Sequence, residues 1–123
     1  MIRPIPPSLA QDLCDEYARK WGTGKHTPDS SAYWVGEFYK TKLVGAIGWV
    51  DDSNLKRRHI LSWHVAPGRH GTLAARNLLT YAHSSLPIQW LMIGTVTPQN
   101  EAARAFLTKE GYSETAVIFT RVK

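Results

Sequence analysis

Apolar positions recur at helical spacing near the start of the chain. Leu9, Leu13 and Tyr17 interleave with Ala10, Cys14 and Trp21, which predicts a helix from about Leu9 to Lys20. Pro6-Pro7 blocks an earlier start, and Ser8 and Gln11 have capping-box spacing. Gly22 to Ser31 has no periodicity and dense turn chemistry, so it reads as a loop. The period then shortens to two. Ala32 to Tyr39 and Leu43 to Val50 are rich in β-branched and aromatic residues and are joined by Lys40-Thr-Lys42, a hairpin pattern. Asp51-Asp-Ser-Asn54 is a turn cluster leading to a strand that begins near Arg58 and runs from His59 to Val65. After Ala66-Pro67 comes a loop, Gly68-Arg-His-Gly-Thr72, and then a helix with Ala75, Leu78, Leu79 and Ala82 on one stripe. A second apolar run, Gln89 to Val96, precedes Thr97-Pro-Gln-Asn100, a helix from Glu101 to Glu110, and a last strand, Tyr112 to Val122.

The resulting order is α, β-hairpin, β, α, β, α, β. It predicts an α/β domain spanning 1–123 with a mixed sheet rather than a purely doubly wound one. Gly71 and Thr72 are small enough to let backbone N–H groups approach an anion at a helix N-terminus, where the helix dipole favours negative charge. A phosphate-bearing ligand is the expectation from these residues.

Composition narrows the setting. The one cysteine, Cys14, has no disulfide mate within the chain and reads as a small buried hydrophobe. No apolar run approaches the ~20 residues of a membrane span, so a soluble cytoplasmic protein without membrane contact is expected. No metal-ligand spacing occurs, so no metal is expected. The net charge is +5, and Lys56-Arg57-Arg58-His59 is the densest basic cluster; it suits nucleic acid, an acidic protein, a cofactor phosphate or a merely solvated strand end. Trp34, Trp49 and Trp63 lie in strands, in the core or lining a pocket.

Val65-x-Pro67, the loop after it, Leu78-Leu79, and above all Asn100-x-x-Ala103-x-x-Phe106-Leu107-x-x-Glu110-Gly111-Tyr112 resemble the GNAT-type N-acyltransferases. The resemblance runs over roughly residues 32–122 and is most specific in the last pattern. It implies a mostly antiparallel central sheet with a splayed parallel pair and helices on both faces. It also implies acetyl-coenzyme A as cosubstrate. The strand ending at Val65 would bind the pantetheine arm as an added strand. Val65 or Ala66 would polarise the thioester carbonyl through a backbone N–H. Arg69, His70, Gly71, Thr72, Leu73, Ala74 and Ala75 would wrap the diphosphate. Two positions depart from the family: Leu73 stands where glycine is usual, and Leu107 where relatives often carry the tyrosine that protonates the leaving thiolate.

Acyl transfer to an amine calls for a general base. His59 is one candidate, since period two puts it on the face of Leu61, Trp63 and Val65 and some relatives carry a histidine base there. The other reading is a strand-end histidine beside Arg58. His64 points to the opposite face, and Glu37 in the hairpin is either a base acting through water or an outward strand residue. Asn100 either contacts pantetheine or caps the following helix. Phe106 and Ala103 face the core, with Phe106 reaching the cofactor if the resemblance holds. The acceptor is an amine on a small molecule, a protein or a nucleic acid. Two other readings stay open: a catalytically degenerate fold serving as a binding or inhibitory module, and a nucleic-acid binder using Lys56 to His59. Only one strand fits after the last helix, so a bare sheet edge is expected to be covered by a loop, a partner or a second copy in a homodimer.

Overall fold

The computed structural model describes residues 1–21, 30–94, 96 and 100–113. Its elements are β1 (Ile2–Pro4), a 3₁₀ turn (Pro7–Ala10), α1 (Gln11–Trp21), β2 (Tyr33–Tyr39), β3 (Lys42–Asp52), β4 (Arg57–Val65), α2 (Arg69–Ser84), β5 (Leu91–Gly94) and α3 (Glu101–Lys109). The expected loop at Gly22 lies largely outside the described residues, as does the expected strand after Tyr112. The chain groups into two units, Met1–Ile93 and Gly94–Lys123. The first holds the sheet, α1 and α2; the second holds α3.

The five strands form one sheet in the order β1-β2-β3-β4-β5, antiparallel from β1 to β4. The Leu91 amide donates to the Lys56 carbonyl at 3.0 Å, so β5 starts level with the start of β4. That is the parallel arrangement a helical crossover produces. The β2–β3 hairpin closes on Lys40-Thr41, with Tyr39 paired to Lys42 and Lys40 at φ 56°. The Asp51–Asn54 turn is also as expected: the Asp52 carboxylate accepts from the amides of Asn54 and Leu55.

Each face of the sheet carries one helix. Val35, Ile47 and Trp49 pack with Ala74, Leu78 and Ala82 of α2. On the other face Trp34 and Ala46 pack with Ala10, Leu13 and Cys14. Gly45 permits the first contact, because a Cβ there would stand 2.9 Å from both Ala74 Cβ and Leu78 Cδ1. At the chain start the helix is entered through a 3₁₀ turn. Pro6 is its N-cap without a side-chain bond, and Gln11 donates to Asp15 instead, so the Ser8–Gln11 capping box does not form. Leu9, placed on the apolar stripe by periodicity, is half exposed because it sits in that tighter turn.

Cys14 is fully buried, and burial, aided by the neighbouring Asp15, raises its thiol pKa to about 11. The folded state therefore holds this proton more tightly than the unfolded chain, whose thiol ionises near its ordinary value of 9.0. The associated stability is intact below pH 9.0 and is lost as pH rises towards 11. Native protein at pH 8 is expected to resist a thiol-specific chromogenic disulfide and to react fully once denatured. Rapid reaction of native protein would contradict this placement.

Arg58 departs from its reading as part of an exposed basic cluster. It is 5% exposed, donates from Nε and Nη2 to both Asp51 oxygens (2.8 and 3.1 Å), and from Nη1 to the Ala82 carbonyl and Ser85 Oγ (both 2.7 Å). It thereby ties the start of β4 to the end of α2. Arg58→Met is expected to lower stability by about 2 kcal/mol, since Asp51 is exposed enough to recover some solvation while the Ala82 carbonyl is not. The urea midpoint measures it.

Candidate active site

The turn between β4 and α2 is shorter than the sequence suggests. Gly68 takes φ 98°, a conformation open to glycine, and closes the turn alone, so α2 begins at Arg69 and not after Thr72. The Thr72 amide already bonds the Gly68 carbonyl at 3.1 Å, and its hydroxyl donates to the same oxygen. Arg69, His70 and Gly71 are thus the residues whose amides precede the helical ladder and point along the helix axis. The amides of Leu73, Ala74 and Ala75, expected to wrap a diphosphate, lie inside the helix. Ala74 is core, and the Ala75 carbonyl accepts the Trp63 indole N–H at 3.1 Å. Leu73 is half exposed, one turn beyond the three amides.

The small size of Gly71 also has a packing role. An added Cβ would fall 1.6 Å from the Ala66 carbonyl oxygen. The absent side chain lets the first turn of α2 fold back on the end of β4.

Of the two amides expected at a thioester, Ala66 is already engaged: it donates to the Val44 carbonyl at 2.9 Å. Alternation in an antiparallel pair then turns the Val65 amide, paired across to Gly45, away from β3. β5 is four residues long against nine for β4 and starts level with it. Val65 therefore lies beyond the described end of β5, with its N–H aimed to that side.

The base candidates are not gathered at one point. Gly48 pairs with Ser62 and Trp49 with Ile60, so Leu61 is an extra residue, a β-bulge. The bulge reverses the alternation: Ile60 shares the α2-side core with Trp63 and Val65, and Arg58 reaches α2. His59 consequently faces the other side of the sheet, opposite to Trp63 and Val65, contrary to the period-two expectation. His64 lies on the α1 side as expected, buried and packed on the Tyr17 ring at 4.6 Å between centroids. Glu37 shares a row with Gly45 and Val65, but Ala74 and Leu78 fill the space over Gly45 between them. Its Oε1 accepts from Asn77 Nδ2 at 2.9 Å, and Glu37 lines a cavity of about 430 Å³ with Tyr39, Arg69, His70 and Leu73. His70 stacks on Tyr39 at 3.6 Å. The partnership of Glu37 with Asn77 leaves no trace in sequence spacing; Gly45, a glycine inside an apolar strand, is the one missed position that carries a signal.

In the second unit, Asn100 is the N-cap of α3, its side chain accepting from the Ala103 amide at 3.1 Å. Gly111, at φ 92°, closes the other end: its amide reaches Thr108 O and that of Tyr112 reaches Leu107 O, a Schellman motif. Two fixed positions of the resemblance are thus helix caps. Phe106 is half buried and Leu107 adjoins it, with no titratable group at that place.

The model of the acetyltransferase (GNAT) family matches residues 2–112. No curated protein matches the sequence. Among solved structures, an integron cassette protein from the mobile metagenome of V. cholerae is 13% identical with a TM-score of 0.76, covering 100% of this chain and 91% of that one. A ribosomal-protein-alanine N-acetyltransferase from Brucella melitensis biovar Abortus 2308 is 15% identical with a TM-score of 0.72, covering 99% and 98%. The PaiA N-acetyltransferase from Thermoplasma acidophilum, solved with coenzyme A, is 12% identical with a TM-score of 0.70, covering 92% and 90%. At such identities the likeness is one of fold.

Proposed function

Because this chain belongs to the acetyltransferase (GNAT) family, we propose that it transfers an acetyl group from acetyl-coenzyme A to an amine. The observation that carries this reading is one run of backbone donors, from the outward Val65 amide to the amides of Arg69, His70 and Gly71. A thioester carbonyl and a diphosphate lie a pantetheine arm apart, and this run offers donors for both. The α2 N-terminus takes the diphosphate through three amides, the helix dipole and the Arg69 charge. The arm runs along the outer edge of β4, and the Val65 amide stabilises the oxyanion that forms on the carbonyl.

The neutral amine attacks the thioester carbon, a C–N bond forms, and the C–S bond breaks as the oxyanion collapses. The amine proton passes to solvent or to a base, and the thiolate leaves. A thiol of pKa ~8.5 departs without a dedicated acid near neutral pH, which fits Leu107 in place of a tyrosine. His64, next to Val65 in the chain, is the base candidate this arrangement favours over His59 and Glu37. The acceptor class rests on the neighbours, whose names include a ribosomal-protein-alanine and several aminoglycoside acetyltransferases.

Two measurements test the proposal together: calorimetry with acetyl-coenzyme A, and thiol release against a panel of small amines, peptide N-termini and lysine peptides. Saturable binding with amine-dependent thiol release is expected. Binding without turnover across the panel would favour the degenerate module instead, and no binding at millimolar cofactor would end the enzyme reading. Splitting of the Lys56–His59 cluster, with Arg58 turned inward and His59 on the opposite face, counts against a nucleic-acid surface there.

A further inference from the structure

At the opposite end of α2 from those amides, a cavity of about 530 Å³ opens between the helix C-terminus and the starts of β2 and β4. Sixteen residues of helix separate the two ends, roughly 24 Å at 1.5 Å per residue. Three aromatic rings wall the cavity. Trp49 is at its base and 4% exposed; Tyr33 and Tyr81 flank it at 49% and 37% exposure. Their planes are inclined, Tyr33 to Trp49 by 53° at 5.2 Å and Trp49 to Tyr81 by 43° at 6.5 Å. Parallel rings would make a slot for a flat heterocycle; inclined rings make a cup for a compact, rounded group.

The charges around the cup are unequal in direction. Arg58 lies over Trp49 at 4.6 Å, so this indole already accepts one cation. The Arg58 charge is met by both Asp51 oxygens and by Ala82 O and Ser85 Oγ at the negative end of the α2 dipole. Asp51 remains 38% exposed at the rim with lone pairs to offer. Ring faces and a carboxylate beside a helix C-terminus together attract an organic cation, with the Arg58 charge the opposing influence.

We propose that this cup is a second binding site, for an alkylated ammonium head group, separate from the acetyl-transfer site. The exposed Tyr33 and Tyr81 rings supply cation–π attraction, over the Trp49 base that Arg58 already occupies, and the solvent-facing side of Asp51 supplies the counter-charge. Neither exposed tyrosine is needed for the core, so the site can be removed without unfolding the chain.

The test is a titration of the full chain with tetramethylammonium chloride, read by NMR at the Trp49 indole and the Tyr33 and Tyr81 rings, with tert-butanol as the neutral isostere. Saturable shifts at those three residues with the cation, and none with the alcohol, are expected. The double variant Tyr33→Ala/Tyr81→Ala is expected to weaken binding about tenfold with little change in thermal midpoint. Equal response to the alcohol, shifts untouched by the double variant, or no saturation by about 50 mM cation, far above the dissociation constant such a cage supports, would each overturn the proposal. None of these readouts involves coenzyme A, so this site stands or falls apart from the transferase reading.

Discussion

Gly71→Ala is expected to destabilise the fold by about 4 kcal/mol or more, a large share of the stability of a typical domain of this size at 25 °C. The added methyl would lie 1.6 Å from the Ala66 carbonyl oxygen, and that oxygen is main chain, not the end of a pliable side chain. Relief requires moving the first turn of α2 off the end of β4, which also lifts Ala74 and Leu78 from Gly45. Gly68→Ala supplies the comparison. Nothing lies within 4 Å of its added Cβ, so only the strain of φ 98° remains, about 1–3 kcal/mol. Urea unfolding of both variants checks the contrast. Equal midpoints would mean that the strand-to-helix turn is looser than described.

Arg69→Pro carries the second large effect, on binding. Arg69 is the first residue of α2, where proline suits the helix and removes one N–H. If that amide holds a diphosphate, the substitution should weaken acetyl-coenzyme A about a hundredfold, close to 2.7 kcal/mol, through loss of the donor and of the charge. Arg69→Gln keeps the amide and should lose about threefold, the share of an exposed charge. Calorimetry on both variants separates backbone from side chain. Equal affinities for Pro and Gln would show that the amide does not touch the ligand.

Much of this fold is legible from periodicity because each element has one apolar side. Leu78, Leu79 and Ala82 mark the buried stripe of α2, and the hairpin ends where Lys40-Thr41 interrupts two β-rich runs. Asn100 and Gly111 are legible for a local reason, as side-chain cap and left-handed residue of the same helix. The site is less so. A loop of five residues was expected where one glycine at positive φ suffices, and backbone dihedrals at glycine leave no sequence mark beyond the glycine itself. The side on which His59 lies depends on the bulge at Leu61, and a bulge is set by pairing with β3 rather than by the β4 sequence. The inward turn of Arg58 depends on Asp51 and on a carbonyl 24 positions away, a tertiary fact. The resemblance, by contrast, pointed to the family directly, and the family match over residues 2–112 agrees with it.

The proposed transferase activity requires that main-chain donors at the end of β4 and the start of α2 receive coenzyme A. An amide-resolved NMR titration with coenzyme A asks this of the atoms themselves. Saturable shifts at Val65, Arg69, His70 and Gly71, with Ala74 and Leu78 little changed, are the expected result. Saturation that leaves those four amides in place, or no response at millimolar coenzyme A, would contradict it.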